Sequence, residues 1–182
     1  MRCAVVGGMS TAVIYEGTRG VRVDHPNVTI LGAEREDLVE VARERVDLGA
    51  SRVELCGGIG ADDAALVADA IGDRAEVKLN RYGFESLERV TEYKLAFAAG
   101  DARPAAFMYL VPGADPRTDR TEHPDATFIP IPDDAAAESV ARELAGDGVA
   151  ILELYGGLGV RAAAAALRGS DGDIAVGFVD AD

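Results

Sequence analysis

The chain has 182 residues, 48% of them hydrophobic and 27% charged, which suits one folded domain or two small ones and excludes a disordered chain. Against 18 basic residues stand 32 acidic ones, and the net charge of −14 repels nucleic acid and anionic membrane surfaces. The longest basic cluster, Arg43 and Arg45, is interrupted by Glu44, and the absence of Trp leaves no large stacking platform for single strands. No apolar run reaches the roughly 18–20 residues of a membrane span. Glycine arrives at Gly7-Gly8, too early for a secretory signal, and two cysteines, Cys3 and Cys56, make no disulfide framework. The expected location is therefore the cytoplasm, with reduced thiols.

An internal repeat organises everything else. Val53-Glu54-Leu55-Cys56-Gly57-Gly58-Ile59-Gly60 matches Leu152-Glu153-Leu154-Tyr155-Gly156-Gly157-Leu158-Gly159. Upstream, Val41-Ala42-Arg43-Glu44 matches Val140-Ala141-Arg142-Glu143 in the same register. Further upstream, His25-Pro26-Asn27-Val28-Thr29 matches His123-Pro124-Asp125-Ala126-Thr127, one residue out of register. Three blocks in one order mark a tandem duplication, which divides the chain into repeats 1–104 and 105–182.

In chain order, the first copy opens with a predicted strand at Cys3–Val6 and a long polar connection, Gly7–Asp24. A strand at Val28–Leu31 follows. Next comes an amphipathic helix, with Leu38, Val41, Ala42 and Val46 on one face and Glu34, Glu36 and Asp37 at its positive end. Gly49 stops that helix, and a strand at Ser51–Leu55 leads through Gly-Gly-x-Gly into a helix over Asp62–Ile71. A strand at Ala75–Asn80 and an extra helix at Phe84–Ala99, burying Leu87, Val90 and Phe97, bridge to the second copy. That copy repeats the plan: strand Ala106–Val111, connection Pro112–Glu122 and strand Thr127–Ile131. A helix follows, started by Pro132 and Asp133 and lined by Ala137, Val140, Ala141 and Leu144, with its stop at Gly148. Strand Val149–Leu154, helix Arg161–Leu167 and strand Ile174–Val179 complete it.

Alternating apolar strands and helices predict an α/β fold with mostly parallel sheets, Rossmann- or flavodoxin-like, as two fused pseudo-twofold repeats. Eight strands in two copies leave a small eight-stranded α/β barrel as the alternative, weakened by the missing helix after each first strand. The unit of strand, helix, Glu-Leu-Cys-Gly-Gly-Ile-Gly, helix and strand resembles a family of uncharacterised bacterial and archaeal proteins, catalogued as a domain of unknown function about one unit long. The second copy departs from that motif at Tyr155. The resemblance implies that one unit pairs with another, and that here the pair is fused.

In open parallel sheets, ligands bind at the carboxyl ends of strands, where both Gly-Gly-x-Gly loops are expected. Their glycines would let a backbone approach a ligand, and the next helix would offer N–H groups to an anion. The ligand-binding candidates are therefore Gly57, Gly58 and Gly60 in the first copy and Glu153, Tyr155, Gly156, Gly157, Gly159 and Arg161 in the second. Asp62 and Asp63 disfavour an anion at the first loop, while Arg161 favours one at the second. The loops are neither a P-loop nor a dinucleotide fingerprint.

Three residues are catalytic candidates. Glu54 stands inside an apolar strand, where a carboxylate needs a partner or becomes a general acid or base; an arginine across the fused interface would equally explain it. Cys56 precedes a helix N-terminus, which favours thiolate, although a small buried apolar cysteine fits as well. Arg81, with Asn80 and Tyr82, ends a strand whose counterpart, Val179-Asp180-Ala181, has no cation. His25 and His123 lack metal-site spacing, so no metal is assigned. The residues name no cofactor. The expectation is a small-molecule binding protein or enzyme, monomer or homodimer of fused repeats; the alternative is a non-catalytic module for self-association.

Overall fold

The computed structural model describes residues 10–101, 103–124 and 126–180, and divides between Val77 and Lys78 into two compact units. Unit 1 contains β1 (Thr11–Glu16), β2 (Arg22–Asp24), β3 (Val28–Ala33), α1 (Leu38–Asp47), β4 (Arg52–Cys56), α2 (Ala61–Ile71) and the start of β5 (Glu76–Leu79), a strand that runs across the boundary. Its sheet runs β2-β3-β1-β4-β5. Strand β1 is parallel to both β3 and β4, and β2 turns back antiparallel on β3.

Unit 2 contains β6 (Arg81–Tyr82), α3 (Leu87–Ala98), β7 (Ala105–Leu110), β8 (Thr121–Glu122), β9 (Thr127–Ile131), α4 (Ala136–Gly146), β10 (Ile151–Tyr155), α5 (Val160–Gly169) and β11 (Ala175–Phe178). Its sheet runs β6-β11-β10-β7-β9-β8, the order of unit 1 with one antiparallel strand, β6, added beyond β11. Two open sheets replace the barrel alternative. A barrel would need one continuous ring of strands, and the strands instead form two separate sheets, of five and six strands.

The central strands explain the hydrophobic runs. Strands β4 and β10 are buried along their whole length, as parallel strands with neighbours on both sides must be. In unit 2, α4 and α5 pack together on one face of the sheet, over Ala106, Met108, Ile129, Ile131, Leu152, Leu154 and Val176. Alanines 162, 163, 165 and 166 line the buried side of α5 and let the two helices approach closely. Strand alternation then puts Phe107, Tyr109, Phe128, Glu153 and Tyr155 on the opposite face.

The first strand of the repeat is a correction. The expected strand Cys3–Val6 lies outside the described residues, and the expected connection Gly7–Asp24 holds β1 and β2. Thr11-Ala12-Val13-Ile14-Tyr15 is the counterpart of Ala105-Ala106-Phe107-Met108-Tyr109, since both pair residue by residue with the repeated Glu-containing strand. Two apolar runs compete in the sequence, and pairing with both β3 and β4 identifies the second as the central strand.

The repeated His-Pro block closes a hairpin in each copy. His25 N–H donates to the Val28 carbonyl at 2.9 Å, and His123 N–H to the Ala126 carbonyl at 3.1 Å. Proline at the second position suits such turns. The extra helix is α3, preceded by a single 3-10 turn, Phe84–Ser86. It packs on β10 and β11. Leu87 and Phe97, expected in its buried face, are 47% and 65% exposed; Val90, also expected there, is half-buried, together with Tyr93, and Ser86 is buried. The helix carries two apolar stripes, and spacing alone cannot say which one meets the sheet.

Burial has a titration consequence in unit 2. Desolvation, and then the charge of Asp119, push the Tyr109 phenol well above its usual range. A phenol raised in the folded state keeps its proton after the unfolded one, at about pH 10, has lost it. Its stabilisation is therefore complete below about pH 10 and declines as pH rises further. Urea unfolding at stepped alkaline pH should show stability falling above about pH 10, with a shallower fall in Tyr109→Phe. Equal slopes in the two proteins would exclude Tyr109 as the source.

Candidate functional site

The parallel strands of each unit have the flavodoxin-like order, in which the chain leaves the first strand in one direction and later returns to its other side. The switch falls between β1 and β4 in unit 1 and between β7 and β10 in unit 2. Both Gly-Gly-x-Gly segments start at that point.

Each segment is a tight turn. Ile59 N–H donates to the Cys56 carbonyl at 3.4 Å, and Leu158 N–H to the Tyr155 carbonyl at 3.2 Å. The two residues inside each turn have positive φ: 64° and 96° at Gly57 and Gly58, 60° and 103° at Gly156 and Gly157. Side chains rarely adopt that pair of conformations, so the double glycine follows from the turn itself. Close approach adds to this in unit 1, where a Cβ on Gly57 would stand 3.2 Å from Cβ of Tyr15 and one on Gly58 2.8 Å from Oε2 of Glu16. Gly60 and Gly159 are the N-caps of α2 and α5, neither of which has a side-chain cap.

The space above the first turn is occupied by an ion cluster. The Arg35 guanidinium donates to Glu16 at 3.1 and 3.3 Å, reaches Asp63 at 3.0 Å and donates to the Gly58 carbonyl at 3.4 Å. Two carboxylates around one guanidinium leave this end of unit 1 anionic. At the second turn the side chain against Gly157 is Leu110, and Val160 and Arg161 are exposed in the first turn of α5.

The repeated glutamates sit two residues before the first residue of each turn, and both are buried: Glu54 is 0% exposed and Glu153 5%. The copies hold them differently. In unit 1 the Nε of Arg52 donates to Glu54 Oε1 at 2.8 Å, and its Nη1 reaches Glu76 at 3.3 Å. Arg52 and Glu54 are i and i+2 on one strand, so their side chains share a face. The arginine expected as a partner across the fused interface is supplied from within β4. In unit 2 the counterpart of Arg52 is Ile151. Glu153 instead accepts the Tyr155 hydroxyl at 2.7 Å on one oxygen and the Tyr82 hydroxyl at 2.5 Å on the other. Tyr155, matched by Cys56 in the first copy, lies two residues after its glutamate, where Arg52 lies two residues before.

Tyr82 reaches Glu153 because of a missing side chain. The register places Tyr82 opposite Gly177 and Gly177 opposite Glu153, so the three form one cross-strand row. A Cβ at Gly177 would lie 2.8 Å from the Tyr82 ring and would overlap Asn80 Oδ1. The phenol and the amide therefore occupy the volume of a deleted side chain. The Tyr93 phenol, from α3, is pushed up by burial and then by the negative charge of Glu153. Phe107 meets Tyr155 edge-on at 5.8 Å. The amide oxygen and nitrogen of Asn80 are both buried and make no hydrogen bond among the described residues. Asn80 and Tyr82 are recognisable in the sequence as strand-end residues, but not as neighbours of Glu153. The β6–β11 register is what brings them there, and no sequence signal encodes it.

The remaining candidates are placed as follows. Cys56 is buried, at 2% exposure, on the same face of β4 as Glu54. Arg81 belongs to unit 2, is exposed, and pairs with Asp180. Arg161 is exposed at the start of α5.

Each unit is thus an α/β module with a mostly parallel sheet, and the chain is a tandem of two. Its sequence matches the model of a family of unknown function, DUF6506, over residues 16–94 and again over 103–182. The chain belongs to that family and carries two copies of its domain. No curated protein matches it. Among solved structures it is similar to an ABC transporter periplasmic solute binding protein from Actinobacillus succinogenes 130z with bound D-allose. That likeness has 12% identity and a TM-score of 0.30, over 93% of this chain and 77% of the other, and is too slight to bear on ligand or mechanism. No helix among the described residues is long and apolar enough to cross a membrane.

Proposed function

We propose that this protein binds a small molecule in unit 2, on the face of β10 and β11 that carries Glu153. The observation that carries this reading is Asn80. Buried polar groups in folded proteins are nearly always hydrogen-bonded, and an amide left without partners costs about 1–3 kcal/mol. Among the described residues both ends of the Asn80 amide lack a partner, beside a buried carboxylate held by two phenols. A ligand with adjacent donor and acceptor groups would satisfy the amide, and the carboxylate and phenols would orient it. The same glutamate in unit 1 is neutralised by Arg52, which leaves that copy as the structural partner of the pair. The Gly-Gly-x-Gly turn contributes by fixing Tyr155, immediately before Gly156.

The first test works on the ligand-free protein. Asn80→Leu keeps the side-chain branching and removes both polar atoms. It should stabilise that protein by about 1 kcal/mol in urea unfolding. A destabilisation of that size would mean that the amide is partnered, and the proposal would fall. In a thermal-shift screen of polyols, amides and amines, a compound at about 100 times its Kd should raise stability by about 2.7 kcal/mol, several degrees for units of this size. Asn80→Leu and Glu153→Gln should each abolish that shift, whereas Arg161→Ala should keep it.

A further inference from the structure

We propose that helix α3 is the door of the Glu153 site, swinging away from β10 and β11 about Ser86 to let the ligand in; this rests on the binding reading above. The site is closed as it stands, since Glu153 and both polar ends of the Asn80 amide are buried. A ligand reaches them only when a covering element moves. Within unit 2, α4 and α5 pack on the opposite face of the sheet. Helix α3 packs on β10 and β11, and its Tyr93 feels the charge of Glu153.

The hold on α3 is slight along its length and firm at one end. None of its twelve residues is buried; Val90, Tyr93 and Ala96 are half-buried and the rest exposed. By contrast α4, of eleven residues, buries Ala137, Val140, Ala141 and Leu144. A helix with so little apolar contact belongs to the parts of a protein that open locally, without global unfolding. Arg89 also ties it to Asp173 at 3.2 Å, an exposed ion pair that solvent and salt screen. Ser86, just before α3, differs from all of these. It is buried, and its hydroxyl accepts the Val176 N–H at 3.2 Å and donates to the Val176 carbonyl at 3.4 Å. It thereby continues along β11 the edge pairing that Arg81 and Tyr82 make with Phe178 and Gly177. Ser86 is therefore the pivot. Tyr93 follows seven residues later, about 10 Å along a helix, so a swing of about 20° carries its ring about 3–4 Å.

Access to the site in the ligand-free full chain tests this. Asn80→Cys puts a thiol there, and iodoacetamide labels it at a rate set by opening. Peptide mass spectrometry separates that thiol from Cys3 and Cys56. Adding Val90→Ala weakens the grip of α3 and should speed labelling about fivefold. Adding Val140→Ala instead weakens α4 on the other face. It should lower the urea midpoint yet leave the labelling rate within about twofold. Hydrogen exchange of the wild type gives a second reading, which stands even where Asn80→Cys does not fold. The amides of α3 should exchange together, about tenfold or more sooner than those of β10. Labelling that quickens as much with Val140→Ala as with Val90→Ala overturns the proposal. So does exchange of the α3 amides no sooner than those of β10. A thermal-shift screen without a hit is the separate failure of the binding reading, and it moves neither rate.

Discussion

Replacing Arg52 by isoleucine, the residue at the same place in the second copy, is expected to destabilise the protein by about 3 kcal/mol. Arg52 and Glu54 are 5% and 0% exposed at their side chains, and the guanidinium bonds the carboxylate at 2.8 Å. Removing the cation leaves a carboxylate in the sheet whose desolvation its partner no longer offsets. The loss arises from that stranded charge and much less from the absent contact. Removing both charges should therefore recover most of it. Arg52→Ile/Glu54→Met, with two apolar side chains of similar length, is expected within about 1 kcal/mol of wild type. Urea unfolding followed by circular dichroism at neutral pH measures both. If the single variant costs less than about 1 kcal/mol, or the double variant costs as much as the single, the pair does not hold Glu54 in the way described.

The second large effect is expected at Gly169. This residue ends α5 where it crosses α4, and a Cβ there would overlap the backbone carbonyl oxygen of Glu138 and stand 2.8 Å from its carbon. The obstacle is backbone of a packed helix and cannot swing aside as a side chain would. Gly169→Ala must push the two helices apart across a seam of alanines, at a cost of about 2–3 kcal/mol. Gly146, the last residue of α4, is the control, since a Cβ there meets nothing within 4 Å. Gly146→Ala should be neutral or stabilise by about 0.5–1 kcal/mol, because alanine loses less backbone entropy in a helix. Equal thermal stabilities for the two alanine variants would contradict the close crossing of α4 and α5.

Much of this architecture is legible as chemistry along the chain. The repeat is visible because the same Glu-containing strand and double-glycine turn occur twice. The helix faces follow from i, i+3, i+4 spacing, and Gly49 and Gly148 mark the helix ends, where the structure gives them φ of 102° and 78°. The two glutamates stand out because a carboxylate in an apolar run must find a partner. The partner of Glu54 is readable too. Arg52 sits two residues away on the same face, and comparison with Ile151 is the signal that could have identified it.

Other features depend on which segments meet. Thr11–Glu16 and Cys3–Val6 are similar apolar runs, and composition does not say which one pairs with β3 and β4. The helix at Leu87–Ala98 has two apolar stripes, and only contact with β10 and β11 selects the one through Val90 and Tyr93. Gly177 reads as a weak spot in a strand until the register sets it between Tyr82 and Glu153, where its missing side chain becomes the space for a phenol and an amide.

The sequence by itself determined that the protein is a duplicated α/β chain, with a buried glutamate before a two-glycine turn in each half. Local rules suffice for that: side-chain period, turn conformation and the need of a buried charge for a partner act over a few residues. Only the tertiary structure decided that one glutamate is held by arginine and the other by tyrosines, beside an asparagine whose amide makes no hydrogen bond among the described residues. Those outcomes rest on strand order and register, which are set by the packing of segments far apart in the chain and leave no periodic mark on it.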